Sequence, residues 1–549
     1  MSDFRTTDDD LSPTNAKLVT PLLTDMYQIS MTYAHWKGGR VNDHAVFDLF
    51  FRKCPFKGEF ALFCGLEEVL RFCHSFRFSE SDIVYLKKLM PAADPEFFVW
   101  LSQLTCSEVK LYSHREGSIV FPREPLIRVE GPLGITQLLE TTLLTLVNFP
   151  SLIATNAARM RIAAGPKAEC LEFGLRRAQG PDGGISASRY AIMGGFHGTS
   201  NVAAGSLFGM DVKGTHAHAY VMSYTGLKDL RTRRLQPAGG GEKVDFVALV
   251  LSKRSQLYGG HCTSSDSEMA AFISFAQAFP DGVLALVDTY DTLKSGVPNF
   301  ISVGLALHDL GYKPRGIRLD SGDLAYLSRE ARKLFHEADA ATGKPVFRDC
   351  KIVASNDLDE DTLLGLAVEG HEIDVFGIGT NLVTCLKQPA LGCVFKLVEI
   401  NAQARIKLSE GVEKVVIPGR KAIYRLVGTE GHALFDIIQG VDEPAPVQGE
   451  RILCRHPFAE SKRAIVTPSR VECLLNLVFD GSLGHDHDIV VPLPPLQEIR
   501  SYVEAQIKSM RSDHVRSTSA TQYKVAVSNN LYTFMHQLWL ENAPISEIS

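Results

Sequence analysis

Four short apolar segments decide the fold: Gly282-Val-Leu-Ala-Leu-Val-Asp288, Gly316-Ile-Arg-Leu-Asp320, Lys351-Ile-Val-Ala-Ser-Asn356 and Asp374-Val-Phe-Gly-Ile378. Each has the length of a buried strand. Helical patterns separate them and cover residues 299–310, 324–337 and 359–369. Strands that alternate with helices at this spacing predict a parallel sheet covered by helices, and therefore an α/β fold.

Polar residues end each of the four predicted strands. The first ends in Asp288-Thr-Tyr290 and the second in Asp320-Ser-Gly-Asp323. The third ends in Ser355-Asn-Asp357 and the fourth in Gly377-Ile-Gly-Thr380. In parallel sheets and barrels the chemistry gathers at the C-terminal strand ends. Four polar ends on one rim therefore predict an active site for a charged small molecule.

The pattern extends on both sides of this stretch. Residues 169–173 and 210–215 predict two further strands, which gives a sheet of six or more strands, and a barrel if the sheet closes. Residues 134–164 predict two helices separated at Pro150, because a proline ends or kinks a helix. A mixed α+β region precedes them, and short antiparallel strands follow Thr380.

Composition places the chain among ordinary globular proteins, with 549 residues, 45% hydrophobic and 22% charged. The net charge of −6, without a basic run longer than residues 231–234, argues against a nucleic-acid surface. Residues 1–16 predict a disordered lead-in rather than a secretory signal. No apolar run approaches the roughly eighteen residues of a membrane span. Eleven scattered cysteines without a C-x-x-C pair favour a reduced, cytosolic compartment.

The Gly377-Ile-Gly379-Thr380 turn follows a predicted strand in the position of a phosphate-binding loop. Glycines let backbone N–H groups approach a phosphate, and the N-terminus of a following helix adds its dipole. Barrel enzymes often bind a phosphate at the loops after their last strands. A tight turn without a ligand explains the motif equally well.

Arg318 lies inside a predicted strand, two residues before Asp320. Residues two apart on a strand share a face, so the two side chains point the same way. A buried arginine must be paired, and one interpretation is a purely structural Arg–Asp pair. The other is a guanidinium that binds a planar carboxylate with two hydrogen bonds. Because three other polar strand ends lie nearby, we favour the second interpretation.

Two more segments carry residue types suited to an anionic ligand. Phe173 precedes a glycine-rich loop with Arg176 and Arg177, which suits a pyrophosphate and a flat ring stacked on the phenylalanine. An ordinary surface loop is at least as common. In the second segment, His216 and His218 share one strand face unless a turn intervenes. They lack a third metal ligand at an obvious spacing, which favours a catalytic or structural histidine.

Three further patterns are interpreted without a site. His485-Asp-His-Asp488 has a metal-like composition, but we interpret it as a solvated loop, with metal binding as the minor alternative. Residues 228–245 are rich in Arg, Pro and Gly and predict a flexible surface insertion. Neither G-x-x-x-x-G-K-[ST] nor G-x-G-x-x-G after a strand is present, so a nucleotide would bind without those loops.

Taken together, these motifs resemble those of the nicotinate phosphoribosyltransferase family, from about Pro21 to Leu408 and more loosely beyond. The resemblance is specific in combination, although each motif alone is weak. It rests on Leu22-Leu-Thr-Asp-Met-Tyr27-Gln, Thr155-Asn-Ala-Ala-Arg159, Gly174-Leu-Arg-Arg-Ala-Gln-Gly-Pro-Asp-Gly-Gly184, Gly198-Thr-Ser-Asn-Val202, Gly214-Thr-His-Ala-His218, Val287-Asp-Thr-Tyr290, Ile317-Arg-Leu-Asp-Ser-Gly-Asp323 and Gly377-Ile-Gly-Thr380.

The resemblance implies a type II phosphoribosyltransferase fold, which combines an irregular TIM-like α/β barrel with an α/β sandwich and a C-terminal extension. Its expected domains are an N-terminal α+β sandwich at residues 17–133, the barrel with the active site at 134–393, and a C-terminal region at 394–549 that packs partly on the sandwich. Members of the family are homodimers, and both subunits contribute residues to each active site. Tyr27 matches the residue that one subunit supplies to the other.

The resemblance also implies residue roles. Nicotinate would lie between Tyr27 and Phe173, held by Thr215 and by Arg318, which faces its carboxylate. The phosphoribosyl pyrophosphate would be held at Gly377, Gly379, Thr380 and Arg176. Asp288 and Asp320 match polar residues around the ribose, pyrophosphate and metal. His218 matches the histidine that ATP transiently phosphorylates.

The implied reaction is the first step of NAD synthesis from nicotinate. The pyridine nitrogen displaces magnesium-bound pyrophosphate at the ribose C1, through an oxocarbenium-like transition state. ATP is a co-substrate, coupled through the phosphohistidine, and Mn²⁺ is an alternative to Mg²⁺. No direct metal ligand is assigned among the residues of the chain.

Ser200 separates two close alternatives. In the nicotinamide phosphoribosyltransferases an aspartate matches this position, and a carboxylate there would accept the amide N–H and repel nicotinate. Serine therefore favours nicotinate over nicotinamide. His197, where many relatives have an acidic residue, and the 228–245 loop depart from the family pattern. A catalytically silent binding protein and an aldolase-like barrel are the more distant alternatives.

Overall fold

A computed structural model of the protein describes residues 18–259, 262–407 and 415–543. The predicted lead-in at residues 1–16, and Leu408 at the end of a predicted strand, lie outside this description. The chain divides into two compact units. The first consists of residues 1–158, 185–195 and 385–549, and the second of residues 159–184 and 196–384.

The strands are numbered along the chain. They are β1 His44–Phe51, β2 Ala61–Leu62, β3 Lys110–Ser113, β4 Ile119–Val120, β5 Ile127–Pro132, β6 Glu169–Glu172, β7 Gly198–Thr199, β8 Arg234–Leu235, β9 Val244–Asp245, β10 Leu284–Leu286, β11 Gly316–Leu319, β12 Lys351–Ser355, β13 Val375–Ile378, β14 Cys393–Ile400, β15 Gln403–Ala404, β16 Lys421–Val427, β17 Ala433–Gly440, β18 Ile452–Arg455, β19 Arg463–Val466, β20 Arg470–Cys473, β21 Asn476–Asp480 and β22 Val525–Val527.

The α-helices are numbered in the same way. They are α1 Met26–Lys37, α2 Leu66–Ser75, α3 Glu80–Leu89, α4 Pro95–Gln103, α5 Leu133–Leu138, α6 Glu140–Ala163, α7 Gly180–Met193, α8 Val202–Phe208, α9 His218–Met222, α10 Phe246–Tyr258, α11 Asp266–Ala278, α12 Val297–Asp309, α13 Leu324–Thr342, α14 Glu360–Glu369, α15 Thr380–Val383, α16 Leu496–Ser509, α17 Ser512–Val515 and α18 Asn529–Asn542. Among the described residues, none of these helices combines the length and apolar character that crossing a bilayer requires.

The second unit is built on a six-stranded sheet in the order β10-β11-β12-β13-β6-β7. Every neighbouring pair of strands in it is parallel. The α/β class is therefore confirmed, and all four segments that opened the sequence analysis form adjacent strands. The sheet is a half-barrel, since its end strands β10 and β7 have no ladder to each other among the described residues.

Helices α12, α13 and α14 follow three of these strands where the apolar patterns predict them. Asp323 accepts a hydrogen bond from the Tyr326 N–H at 2.9 Å and so begins α13. Asp359 accepts one from the Thr362 N–H at 2.8 Å and begins α14. Sequence-local capping of this kind starts α13 and α14 a few residues after polar strand ends, whereas α12 begins without a side-chain cap.

The strand predicted at residues 210–215 is not present. Val212 makes only an isolated parallel bridge to Thr199, and the sixth strand is β7, Gly198–Thr199. The predicted insertion at residues 228–245 contains a two-stranded antiparallel ladder, in which Arg234 pairs with Asp245. A strand of two residues has too short a pattern to be distinguished from loop in the sequence.

Pro150 does not separate two helices as predicted, because α6 runs through it from residue 140 to residue 163. A proline inside a helix removes the hydrogen bond to the carbonyl four residues earlier, here that of Leu146. That carbonyl lies against Gly65, where a Cβ atom would overlap it. Glycine at position 65, with φ +102°, is therefore required for this close packing within the first unit.

The first unit contains two six-stranded sheets, β15-β14-β1-β5-β3-β21 and β19-β18-β22-β17-β16-β20. In the former, β14 pairs with β1 and β21 pairs with β3, so C-terminal strands extend a sheet begun by the N-terminal part of the chain. The three domains that the resemblance implies are not the same as these two compact units, and they stay a prediction.

Candidate active site

The C-terminal ends of β10, β11 and β12 bring three predicted site residues together. The Asp288 carboxylate accepts hydrogen bonds at Oδ2 from the Asp320 N–H at 2.8 Å and from the Ser321 hydroxyl at 2.6 Å. Its side chain is only 2% exposed. Asp288 Oδ1 is buried without a hydrogen-bond partner among the described residues. A buried carboxylate oxygen of this kind is suited to a ligand.

Arg318 and Asp320 form the pair that their spacing predicts. Arg318 Nη2 donates to Asp320 Oδ1 at 3.1 Å, and Nε donates to Ser355 Oγ at 3.0 Å. Ser355 Oγ also donates to Asp320 Oδ1. Nη1 of Arg318 has no hydrogen-bond partner within the described part of the chain. The guanidinium is therefore fixed by two contacts and keeps donors for a ligand.

The environment of Asp320 favours its ionised form. Partial burial alone would raise its pKa, but hydrogen bonds from Ser355 and the charge and hydrogen bond of Arg318 hold the pKa below its ordinary value of 3.8. Asp320 therefore carries a negative charge at neutral pH. This charge lies beside Arg318 on the rim.

Phe173, at the end of β6, packs on the glycine turn. Its N–H donates to the Ile378 carbonyl at 2.8 Å. A Cβ atom on Gly377 would lie 2.5 Å from the Phe173 ring, so glycine makes the space that the ring occupies. The Arg318 guanidinium carbon is 5.9 Å from the centroid of the same ring. Phe173 and Arg318 thus border one place on the rim.

Thr380 lies at the start of α15, a helix of only four residues, directly after Gly379. Thr380 Oγ1 accepts a hydrogen bond from Arg177 Nη1 at 3.2 Å. Arg177 also lies 3.6 Å from Asp357. Arg176, the arginine assigned from the sequence, is exposed, and its role stays a prediction. The turn at Leu175–Arg177 brings Arg177 to Thr380. The sequence alone does not reveal which of the two arginines faces that threonine.

Thr215 and His218 lie beside β10. Thr215 Oγ1 donates to the Leu284 carbonyl at 2.5 Å. His218 Nδ1 lies 3.1 Å from Thr289 Oγ1. His218 Nε2 is 3.9 Å from Asp288 Oδ1 and 3.8 Å from Asp320 Oδ2. The histidine ring, 39% exposed, is accessible and lies among the carboxylates of the rim.

His216 has a different environment from His218. The two residues do not lie on one strand, because α9 begins at His218. His216 Nε2 accepts the Leu286 N–H at 3.3 Å, and its ring lies 4.9 Å from that of Phe275. Burial lowers the pKa of His216 to about 4. His216 is thus a neutral core residue, which matches the structural alternative.

Glu172 was not selected from the sequence, although it lies directly before Phe173. Its buried carboxylate accepts hydrogen bonds from the Gly174 N–H and, at 2.5 Å, from the Thr199 hydroxyl. The Ser200 N–H donates to the Glu172 carbonyl at 2.9 Å. Glu172 therefore holds the backbone at Gly174, directly after Phe173, and the neighbouring segment at Thr199 and Ser200. An acidic residue as the last position of a buried strand is the signal that identifies it.

His197 lies in the same sheet, where its Nδ1 accepts the Cys170 N–H at 3.1 Å. His197, which departs from the family pattern, thus contacts the backbone of β6 directly before β7 begins. At the end of the same strand, Ser200 Oγ lies 3.4 Å from the Glu172 carbonyl. Ser200 therefore lies near Phe173, on the side of the rim expected for the base.

The first unit carries the other residues singled out from the sequence. Tyr27 lies on α1 with 48% of its surface exposed. Asp488 is buried, and its Oδ1 lies 2.8 Å from His74 Nδ1, so the solvated-loop interpretation of residues 485–488 is wrong for this side chain. Among the described residues, no group of three or more His, Cys, Asp or Glu side chains has the arrangement of a metal site.

Comparisons with known proteins identify the family of the chain. The family model for the nicotinate phosphoribosyltransferase N-terminal domain matches residues 22–148, and that for the C-terminal domain matches residues 420–535. Nicotinate phosphoribosyltransferase 2 of Arabidopsis thaliana is 54% identical over 543 residues, covering 98% of this chain and 97% of that protein. The Homo sapiens nicotinate phosphoribosyltransferase is 44% identical over 530 residues, covering 95% and 97%.

Solved structures agree as well. The crystal structure of human nicotinic acid phosphoribosyltransferase matches with a TM-score of 0.84 at 42% identity, over 94% of this chain and 99% of that one. A nicotinate-nucleotide pyrophosphorylase from Pyrococcus furiosus, at 20% identity and a TM-score of 0.56, shares the fold.

The α/β half-barrel, together with these relatives, identifies the protein as a phosphoribosyltransferase. Within that class, the chain belongs to the nicotinate phosphoribosyltransferase family.

Proposed function

We propose that the protein transfers the phosphoribosyl group of phosphoribosyl pyrophosphate to nicotinate, which gives nicotinate mononucleotide and pyrophosphate. The observation that carries the proposal is Arg318, which Ser355 and Asp320 hold in place while Nη1 stays without a partner among the described residues. A fixed guanidinium beside the Phe173 ring suits a flat aromatic acid. The family relationship supports the same substrate.

Nicotinate would lie with its ring on Phe173 and its carboxylate on Arg318. Thr215, whose hydroxyl donates to the Leu284 carbonyl of β10, would border the base and accept a hydrogen bond rather than donate one. Ser200 carries no charge that would repel a carboxylate, so the proposal is nicotinate rather than nicotinamide. The Gly377–Thr380 turn and Arg177 would hold the 5-phosphate, with Arg177 fixed through Thr380.

The chemical step is a displacement at the ribose C1. The pyridine nitrogen lone pair forms the C–N bond while the bond from C1 to the pyrophosphate oxygen breaks, and both electrons of that bond leave with pyrophosphate. The nucleophile needs no deprotonation, so the chain contributes positioning and charge stabilisation. The carboxylates of Asp288 and Asp320 would stabilise positive charge on the ribose.

The residues present fit a Mg²⁺ ion, with Mn²⁺ as the alternative. Asp288 Oδ1 is a buried carboxylate oxygen without a hydrogen-bond partner among the described residues, and Asp320 is held ionised beside it. Magnesium sites commonly use one or two carboxylates together with substrate phosphates. A bound ion would supply positive charge to the pyrophosphate.

ATP would act through His218. Thr289 holds Nδ1, which leaves Nε2 as the nitrogen that can accept the γ-phosphoryl group. The N–P bond forms as the bond to the β,γ-bridging oxygen breaks, and ADP leaves. The proposal includes a homodimer in which Tyr27 of one subunit covers the base in the other. It also includes a cytosolic location and a place at the start of NAD synthesis from nicotinate.

The test is an incubation with nicotinate, phosphoribosyl pyrophosphate, Mg²⁺ and ATP, with chromatography for nicotinate mononucleotide and ADP. Nicotinate is expected to react and nicotinamide to react far more slowly. Product with nicotinamide alone would assign the amide-using reaction instead. No product with either base would contradict the proposed activity.

The role of His218 has its own test. His218→Ala is expected to lose the ATP-stimulated part of product formation and to keep a slow ATP-independent transfer, because only the phosphoryl acceptor is removed. The exposed His336, changed to Ala, is the matched control in the same unit. Equal stimulation by ATP in wild type and His218→Ala would contradict the phosphohistidine.

A further inference from the structure

A cavity lies entirely within the first unit and has a volume of about 1060 Å³. Its lining residues are drawn from the segments 52–59, 121–123, 454–464 and 521–527, together with Ile417 and two residues of β17, Phe435 and Ile438. None of the residues described at the rim of the half-barrel lines it. Pockets for small organic ligands commonly have volumes of roughly 300–1,000 Å³, so this cavity is large enough for a nucleotide.

Positive charge is concentrated on the walls of this cavity. Six lining cations have no ion pair with any described residue, and they are Arg52, Lys53, Lys57, Lys462, Arg463 and Lys524. Arg123 adds a seventh cation, and among the described residues Glu59 is the single acidic residue on the walls. The chain as a whole has a net charge of −6, so its average composition does not account for this concentration. Such a wall attracts multiply charged anions.

Aromatic rings accompany these cations. The Arg123 guanidinium carbon lies 4.7 Å from the centroid of the Phe458 ring, and Lys524 Nζ lies 5.2 Å from that of Phe435. Arg123 has φ +74°, a left-handed conformation that is unfavourable for a residue with a side chain. Strained backbone of this kind persists where the surroundings hold it, and it is common at ligand sites.

His456 lies in the field of the same cations. Its Nδ1 accepts the Phe458 N–H at 3.1 Å, which leaves Nε2 as the N–H donor of the neutral ring. Burial lowers the pKa of His456, and the charges of Lys462 and Arg123 lower it further. The positive potential in the cavity is thus strong enough to act on a neighbouring group.

We propose that this cavity is a binding site for a small anion with two or more linked phosphate groups and a flat heteroaromatic ring, the chemistry of a nucleoside di- or triphosphate. The unpaired lysines and arginines would bind the phosphates with charge-assisted hydrogen bonds. The rings of Phe458 and Phe435 would contact the flat ring. This site shares no described residue with the proposed active site, and it does not depend on the proposed reaction.

Equilibrium dialysis with radiolabelled ATP tests the site by counting equivalents bound per chain. The variant Lys53→Gln/Lys462→Gln/Arg463→Gln removes three exposed cavity charges, whereas Arg77→Gln/Lys88→Gln/Lys508→Gln removes three exposed charges of the same unit outside the cavity. The cavity variant is expected to bind one equivalent fewer than wild type, with that equivalent weakened at least about tenfold. The control variant is expected to match wild type.

The count separates this proposal from the proposed function. If ATP also binds at His218, wild type binds two equivalents and the cavity variant one, and without that second site the numbers are one and none. Equal binding by the cavity variant, the control variant and wild type overturns the cavity site. An equal loss in both variants also overturns it, because general charge would then explain the binding.

A second comparison tests the contact with the flat ring. Phe458→Leu is expected to weaken ATP binding at this site several-fold and to leave the binding of inorganic tripolyphosphate unchanged, because a base stacks on an aromatic ring and tripolyphosphate has no ring to stack. Circular dichroism of the variant checks that the fold is retained. An equal effect on both probes, or no effect on ATP, overturns the assignment of the ring to Phe458.

Discussion

Two arginine–aspartate pairs in this protein have the same chemistry and different surroundings. Arg425 and Asp436, in the first unit, are 3% and 0% exposed, and two hydrogen bonds of 2.9 and 2.7 Å join them. Arg425 also donates to the Ile119 carbonyl and to Gln506. Arg318 and Asp320, at the strand ends of the second unit, are 18% and 27% exposed and share one bond of 3.1 Å.

The difference distinguishes a structural pair from a binding pair. Each nitrogen of the Arg425 guanidinium has a protein partner, and four of its five N–H donors are used within the protein. Arg318 is held by Ser355 and Asp320, while Nη1 lacks a partner among the described residues. The number of unused donors on a fixed guanidinium, rather than the presence of an aspartate, indicates which arginine binds substrate.

The largest expected effect follows from removing the buried arginine. Arg425→Leu should reduce the free energy of unfolding by about 3–5 kcal/mol, because Asp436 is left buried and unpaired. The urea midpoint, followed by circular dichroism, measures this loss. The double variant Arg425→Leu/Asp436→Leu should recover much of it, since no unpaired charge remains. A single variant as stable as wild type would contradict the structural assignment.

Arg318→Leu should reduce activity strongly and stability only slightly. We expect kcat/KM for nicotinate to fall about 100-fold, because charge-assisted hydrogen bonds contribute roughly 1.5–3 kcal/mol each. The urea midpoint should change much less than in Arg425→Leu, since Arg318 is partly exposed and near the rim. Steady-state kinetics and unfolding of the same preparations measure both. The comparison fails if Arg318→Leu unfolds as readily as Arg425→Leu and retains its kcat/KM.

The space beside Arg318 can be changed without touching its charge. Gly377→Ala would place a Cβ atom 2.5 Å from the Phe173 ring, and overpacking of this kind costs about 1–3 kcal/mol. We expect a several-fold increase in KM for nicotinate as the ring is displaced. Gly365→Ala, on α14 with no atom within 4 Å of the added Cβ, is the matched control. Equal kinetics in both variants would show that the position of Phe173 does not matter.

The smallest expected effect is a pH dependence near the structural pair. His114 is buried, and burial together with Arg425 lowers its pKa from 6.5 to about 3. The folded protein therefore stays unprotonated at His114 below pH 6.5, whereas the unfolded chain takes up a proton. Stability is thus lost as pH falls through 6.5, by about 1 kcal/mol between pH 6.5 and 5.5.

Urea unfolding at several pH values measures the contribution of His114. His114→Phe should remove this part of the pH dependence, whereas His487→Asn, at an exposed histidine of the same unit, should keep it. Identical pH profiles for wild type and His114→Phe would contradict the burial argument.

Much of the second unit is predictable because its signals are local. The segments at residues 282–288, 316–320, 351–356 and 374–378 have strand lengths, and two of the three intervening helices, α13 and α14, begin at side chains that cap them. Pairing of parallel strands then places their ends together without further information. The same locality explains why Arg318 and Asp320 were correctly predicted to share a face.

Features that depend on distant contacts were not predictable. α6 continues through Pro150, and the freed carbonyl of Leu146 packs against Gly65, far away in the sequence. The proximity of Arg177 to Thr380 depends on the packing of two loops separated by about two hundred residues, |i−j| = 203. The difference between Arg318 and Arg425 likewise depends on partners that only the folded chain brings together.

A crystal structure with nicotinate bound tests the central claim most directly. The ring of nicotinate should lie against Phe173, with its carboxylate oxygens about 2.7–2.9 Å from the Arg318 guanidinium. The contacts of Arg318 with Ser355 and Asp320 should persist. A nicotinate carboxylate held by other residues, with Arg318 bound only to Asp320 and Ser355, would contradict the claim that this arginine is the binding member of the two pairs.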